Sequence, residues 1–453
     1  MSEHYDLVLA GGLVFTMRDG EEPFFATVTI ADGRVRGIIP GTESVWDSNR
    51  SSETAVYDVR GMYVTPGFID IHAHDEFGDG DIVEQALLRQ GVTTALAGNC
   101  GSGPLFPESE AAHANPWINL YYLVGNRVLR RAASQNDRYS PCSGEQRRVM
   151  CDLLGESMRL GAMGLSLGLE YEPGASFGEI CDLARIVAKF DGLVSVHTRF
   201  DDYRCVDAVR EVIALSRDCG VRVEISHLGS MTMSHTDECA DAIDSAKSEG
   251  LPVSFDCYPY DAFCTNIGSA VFDDGFAERW RGKGPEYLEA VSGRFAGKRL
   301  NWKTFTEMRR EEPDGTVIAY IMDQEEVERC VAHPDCVIGS DSYYQGDGGA
   351  HPRLSGTFPR ALKVLRKRGY GWNGAIKKLT SMPADILRID AGRLDAGAIA
   401  DIAVFDPEKF TDRATYEDPF LPPDGMRMVI TRGRAALEDG VLSDAPSGKL
   451  RKK

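Results

Sequence analysis

Pro66-Gly67-Phe68-Ile69-Asp70-Ile71-His72-Ala73-His74 is the stretch on which the reading of the fold turns. Residues 64–72 make a short run of mostly apolar residues, the pattern of a buried strand, and the run closes on histidines. Side chains two positions apart on an extended segment point the same way, so His72 and His74 can reach one metal ion. Moving outward, further short apolar runs follow at 93–97, 118–124, 164–169, 193–197, 221–226, 253–255 and 336–340. Helix-like segments at 82–89, 145–160, 177–189, 205–219 and 238–249 lie between them. Strands alternating with helices in this way predict an α/β fold, a (β/α)8 TIM-like barrel.

The two ends of the chain read differently. Residues 5–14, 26–30 and 34–38 form short strands, with Asp32-Gly33 as a hairpin turn, and residues 400–405, 427–431 and 434–437 repeat the pattern. Strand-rich ends around a long middle predict a small β-sandwich domain built from both termini. The expected division is 1–62 plus 395–453 for the sandwich and 63–394 for the barrel. The interval 272–333 holds more residues than one crossover needs and is expected to be an insertion that serves as a lid. Residues 449–453 are expected to be a disordered tail.

Composition excludes some classes of partner. With 453 residues and a formal charge of −19, the surface would repel nucleic acid and anionic membrane. No run approaches the roughly 18 apolar residues that a membrane helix needs. The opening residues carry Glu3 and Asp6 without a basic start and an apolar core, so no signal peptide is read. Eleven cysteines, an odd number without a CxxC pair, predict reduced thiols in a cytoplasmic protein.

Barrel enzymes carry their chemistry at the C-terminal ends of the strands. The first expected strand ends in His72 and His74, and the second runs into Gly98-Asn99-Cys100-Gly101. The fourth runs into Glu170, the fifth and sixth end at His197 and His227, and the eighth ends at Gly339-Ser340-Asp341. Imidazole, thiolate and carboxylate are the ligands zinc prefers. A lone histidine at a strand end is more often structural, but four of the nine histidines sit at the same end of the expected barrel. The glycines beside Cys100 allow a sharp turn that presents its sulfur to a site. Glu170 is open to two readings, a surface loop residue or a carboxylate bridging two metals. The expected ligand set for Zn2+, one tightly bound and a second possible, is His72, His74, Cys100, Glu170, His197, His227 and Asp341. His4, His113, His235 and His333 are expected in solvated loops or helices. His351 is intermediate, because it follows the eighth strand closely.

Taken together these residues resemble the amidohydrolase superfamily, and within it the D-aminoacylase (N-acyl-D-amino-acid deacylase) family. The likeness runs from Asp6-Leu7-Val8-Leu9-Ala10-Gly11-Gly12 through the 66–74 signature, Gly98-Asn99-Cys100-Gly101, residues 164–169, His197-Thr198-Arg199 and Ser226-His227. It continues with Tyr258-Pro259-Tyr260, Gly339-Ser340-Asp341, His351-Pro352-Arg353 and residues 397–403. The resemblance implies Cys100, His197 and His227 as the tight zinc ligands, with the cysteine where related enzymes use a carboxylated lysine. It implies His72 and His74 as ligands of a second metal and Asp341 as the catalytic acid/base. It implies Arg353 as the partner of a substrate carboxylate and Tyr258 as a neighbour of the scissile amide. Arg199 joins these two as a substrate-binding candidate.

The sequence also departs from that pattern. Leu228, Gly229 and Ser230 follow His227 where relatives carry a lysine, and Gly125-Asn126-Arg127 stands where relatives often show a histidine. Cys264 occupies the place of a family serine. The expected activity is zinc-dependent hydrolysis of a small-molecule N-acyl-D-amino acid. The alternative is a cyclic-amide hydrolase of the hydantoinase or dihydroorotase kind, and residues 161–174 lack the lysine those relatives use. A non-catalytic scaffold is the remaining reading, against which the retained histidines and Asp341 count.

Overall fold

The computed structural model describes residues 5–41, 54–76, 80–106, 108, 115–346 and 348–453, which leaves His4 and His113 outside. Its middle is a parallel sheet of eight strands in chain order: Phe68–Ala73, Val92–Ala97, Asn119–Gly125, Gly164–Gly168, Leu193–His197, Arg222–Ile225, Val253–Cys257 and Cys336–Ile338. Every residue of the first six strands is buried, as expected where helices cover the outside of a parallel barrel. The ring closes where Asp341 N donates to His72 O at 2.8 Å and His74 N donates to Ser342 O at 2.9 Å. The helices start where capping chemistry places them. Ser143 and Gln146 form a reciprocal capping box on Gly144–Leu160, and Ser176 caps Phe177–Lys189.

The strands of the two termini join in one mixed sheet of nine. Tyr63–Pro66 is the hinge of this sheet, parallel to Leu7–Val14 on one side and antiparallel to Ile402–Phe405 on the other. The two layers of the expected sandwich are thus linked by hydrogen bonds into one sheet. Val28, Val64, Ile402 and Ile430, from both termini, share a single core.

Three expectations change. Residues 64–72 are two strands rather than one: Tyr63–Pro66 belongs to the terminal sheet and Phe68–Ala73 to the barrel. Gly67 joins them, and a Cβ there would stand 2.0 Å from Thr93 Oγ1, so the crossing needs a residue without a side chain. The terminal sheet and the barrel meet at Gly67. Outside the barrel, Phe263–Asn266 pairs antiparallel with Thr316–Ala319 in a separate four-stranded sheet. Gln324–Ala332, placed in the insertion by its sequence, packs against the seventh and eighth barrel strands as their crossover helix. Residues 449–453 are docked rather than free: Leu120 N donates to Lys449 O at 3.0 Å and Arg451 N to Leu120 O at 2.7 Å.

Candidate active site and metal centre

Cys100 is the hub of the site. The second barrel strand gives way to Gly98-Asn99-Cys100-Gly101, and both Cys100 (φ 51°) and Gly101 (φ 79°) adopt the left-handed region. A Cβ on Gly101 would lie 2.3 Å from Asn126 Oδ1, so the turn requires glycine there. It brings Cys100 Sγ within 3.4 Å of His72 Nε2 and 3.5 Å of His227 Nε2. His227 Nε2 is in turn 3.0 Å from His197 Nδ1. Donor atoms of Cys100, His197 and His227 lie within 4.8 Å of one another, and so do those of His72, His74, Cys100 and Asp341. The two groups share the thiol. His227 (φ 35°) and Asp341 (φ 50°) are also left-handed. Non-glycine residues in such conformations cost on the order of 1–3 kcal/mol each and cluster at functional sites.

The donor spacing suits zinc. Bonds of about 2.1 Å to nitrogen and 2.3 Å to sulfur in a tetrahedral site give edges of roughly 3.4–3.6 Å. The Cys100–His72 and Cys100–His227 separations match those edges, and the His197–His227 separation is somewhat shorter. Each imidazole is held from behind. Asp256 Oδ2 lies 3.2 Å from His72 Nδ1, Glu76 Oε1 2.9 Å from His74 Nδ1, Glu170 Oε2 3.1 Å from His197 Nε2, and Ser230 Oγ 3.0 Å from His227 Nδ1. Such outer partners fix which nitrogen faces a metal and raise the basicity of the ring. Burial pushes the Cys100 thiol up, but the charge of His72 and hydrogen bonds from His197, His227 and His72 outweigh it and hold it well below the usual thiol range.

Asp341 meets both the imidazoles and a cation. Its Oδ1 is 3.4 Å from His72 Nε2 and 3.2 Å from His74 Nε2, while its Oδ2 is 2.9 Å from Arg353 NH1. Burial raises its pKa, yet Arg353, His72 and His74 together hold the carboxyl well below the usual range. Arg353 is buried, stacked 4.8 Å from the Tyr258 ring, and anchored by its neighbour His351. Arg353 N donates to His351 Nδ1 at 3.0 Å and His351 Nε2 donates to Ala262 O at 3.0 Å, which defines a neutral imidazole. Burial, followed by the charge of Arg353, keeps His351 well below the usual histidine range. The Tyr258 hydroxyl is buried beside Ser230 and meets no partner at hydrogen-bonding geometry. A cavity of about 340 Å³ opens over His74, Cys100, Asp341 and Arg353, of a size that suits a small molecule. A side pocket of about 30 Å³ lies between His197, His227, Tyr258, Phe263 and Val271.

The structure thus gathers His72, His74, Cys100, His197, His227, Asp341, Arg353 and Tyr258 in one place. Two candidates stand apart from that group. Glu170 is not among the converging donors; it sits on the far nitrogen of His197 and also meets Arg279 NH2 at 3.4 Å. Arg199 lines neither cavity, because its guanidinium is spent on Glu211 and on the carbonyls of Pro173 and Ala175. Sequence reading missed Glu76, Asp256, Ser230 and Tyr171, whose ring lies 4.5 Å from that of His197. Asp256 had a usable signal, since it is the last residue but one of the seventh barrel strand.

A thiol, four imidazoles and a carboxylate converging at the C-terminal mouth of a parallel barrel place the protein among the metal-dependent barrel hydrolases. No family model matches the chain. It is 32% identical to N-acyl-D-glutamate deacylase of Alcaligenes xylosoxydans xylosoxydans over 100% of this chain and 98% of that one. It is 30% identical to D-aminoacylase from the same organism, over 99% and 98% of the two chains. Among solved structures it resembles N-acyl-D-glutamate deacylase of Bordetella bronchiseptica, complexed with zinc and a phosphonate mimic of the tetrahedral intermediate. The TM-score is 0.86 at 28% identity, with all of both chains covered. The chain belongs to the D-aminoacylase (N-acyl-D-amino-acid deacylase) family of the amidohydrolase superfamily.

Proposed function

We propose that the protein is a zinc-dependent deacylase of small N-acyl-D-amino acids, cleaving a linear amide to a D-amino acid and a carboxylate. The observation that carries this reading is the single thiol of Cys100 shared by two donor groups. It fills the position that a carboxylated lysine takes in cyclic-amide hydrolases, and the fourth barrel strand, Gly164–Gly168, offers no lysine. Cys100, His197 and His227 would hold one zinc ion, and His72, His74 and Asp341 would supply donors to a second that shares the thiol. Zinc bound there lowers the pKa of water from about 15.7 towards about 7 and polarises the substrate carbonyl.

The chain's own groups do the rest. Asp341 accepts the proton of the attacking water and returns it to the leaving nitrogen, which must be protonated to depart. Arg353 holds the substrate carboxylate by a charge-assisted pair and so orients the amide. A carboxylate taking Arg353 releases Asp341 Oδ2, the atom that Arg353 engages at 2.9 Å, for proton transfer. The buried Tyr258 hydroxyl donates to the carbonyl oxygen as charge builds on it.

The test is release of primary amine by zinc-loaded protein from N-acetyl-D- and N-acetyl-L-amino acids and from hydantoins. Turnover of the D-series is expected, and turnover confined to hydantoins or the L-series would overturn the reading. No disulfide joins the described cysteines, which supports a reducing compartment such as the cytoplasm as the site of action.

A further inference from the structure

The cavity that holds the donor atoms has a second cationic wall. Helix Asn126–Ala132 follows the third barrel strand, and Arg127 and Arg131, one helical turn apart, both line the 340 Å³ cavity. Arg138, from the loop beyond, lines it too and is tied by NH1 to Gly268 O at 3.2 Å. The fourth arginine of this stretch, Arg130, is buried and makes the direct ion pairs with the nearby carboxylates, Glu172 at 3.1 Å and Glu179 at 2.7 Å, while Glu172 also feels the charges of Arg127, Arg131 and Arg138 from farther off. Among the described residues no carboxylate pairs with Arg127, Arg131 or Arg138. Apart from Asp341, which Arg353 engages, Asp314 is the carboxylate among the residues lining the cavity. In a chain of net charge −19, arginines that line a cleft without a direct ion pair, outnumbering the one carboxylate, Glu172, whose charge reaches them, focus a positive field on a small anion, while the surface as a whole repels a polyanion.

We propose that Arg127, Arg131 and Arg138 form a second anion subsite, so that the preferred substrate carries a second carboxylate besides the one on Arg353. That group belongs either to the amino-acid side chain or to the far end of the acyl group. The inference rests on the deacylase reading above and deepens it. With the α-carboxylate on Arg353 and the amide at the donor cluster, the remainder of the same cavity is where this second charge is received.

The test compares N-acetyl-D-leucine, with one carboxylate, against N-acetyl-D-glutamate and N-succinyl-D-leucine, each with two, on the full-length zinc-loaded enzyme. At least one dianion is expected to exceed the monoanion in kcat/KM by about 10–100-fold, and which one does so identifies the source of the charge. The ratio should collapse towards one in the Arg127→Gln/Arg131→Gln double variant and recover in part in Arg127→Lys/Arg131→Lys. Equal turnover of all three, or a ratio that survives the double variant, would overturn the subsite. If none of the three is turned over, the deacylase reading fails by itself, and calorimetric titration with the same compounds still decides the subsite. Tighter binding of a dianion that the double variant loses supports it; equal binding of all three, or tighter dianion binding that the variant keeps, sinks it.

Discussion

The two imidazole pairs that share Cys100 are built differently. His197 and His227 come from the ends of adjacent strands, and behind them stand one carboxylate, Glu170, and one hydroxyl, Ser230. His72 and His74 come from the end of a single strand and are backed by two carboxylates, Asp256 and Glu76, while a third, Asp341, faces them. That third carboxylate is also the partner of Arg353, so it answers to the substrate side of the site as well as to the donors. On the proposed function the first pair would serve only to hold an ion, while the second faces Asp341, the group proposed to move a proton.

The largest effects should therefore come from the dedicated pair. His227→Ala removes a donor that three protein ligands cannot spare, and zinc content after dialysis should fall to near background with turnover down by roughly 10⁴-fold or more. His72→Ala should leave at least one zinc bound and cost less. Equal zinc loss from both variants, read by elemental analysis, would erase the distinction. Asp341→Asn should retain that zinc and lower kcat by about 10²–10⁴-fold, the range of a missing acid/base. Near-normal kcat in this variant would return Asp341 to a plain ligand.

How far these contrasts could be read from the sequence depends on how local their causes are. The His72/His74 pair was legible because a strand repeats every two residues, and Cys100 because glycines on both sides mark a turn. Glu76 continues the same spacing of two beyond the strand, and Asp256 is the last residue but one of the seventh strand, so both fell within reach of a rule applied too narrowly. The strand Phe263–Asn266 was not legible, because its partner lies some 50 residues onward and only the pairing makes it a strand. The docked tail was missed for the same reason: what orders residues 449–453 is the backbone of Leu120. Glu170 and Arg199 show the converse limit. Their positions in the chain pointed at the site, but whether a side chain joins the converging donors is decided by partners: Glu170 lines the side pocket yet sits on His197 and Arg279, and Arg199 is taken by Glu211.

The carboxylate behind His197 gives a smaller effect. Glu170→Gln keeps the shape and a hydrogen bond but removes the charge that orients the ring, and zinc affinity should fall about 10–100-fold. Competition with a chelator measures this directly. An unchanged affinity would mean that packing against Tyr171, rather than Glu170, positions the imidazole.

The smallest effect tests where the dedicated pair stops. Arg199 follows His197 by two residues, yet its guanidinium is turned away, bidentate on Glu211 and bonded to Pro173 O at 3.1 Å and Ala175 O at 2.8 Å. Arg199→Met would strand a half-buried carboxylate and two carbonyl groups, at a cost of about 1–3 kcal/mol in stability. The melting temperature should drop by several degrees while KM for N-acyl-D-amino acids stays within about twofold. KM rising with an unchanged melting temperature would place Arg199 on the substrate after all. It would also mean that the loop after the fifth strand swings into the cavity when substrate arrives, so that the His197 side too would serve more than metal retention.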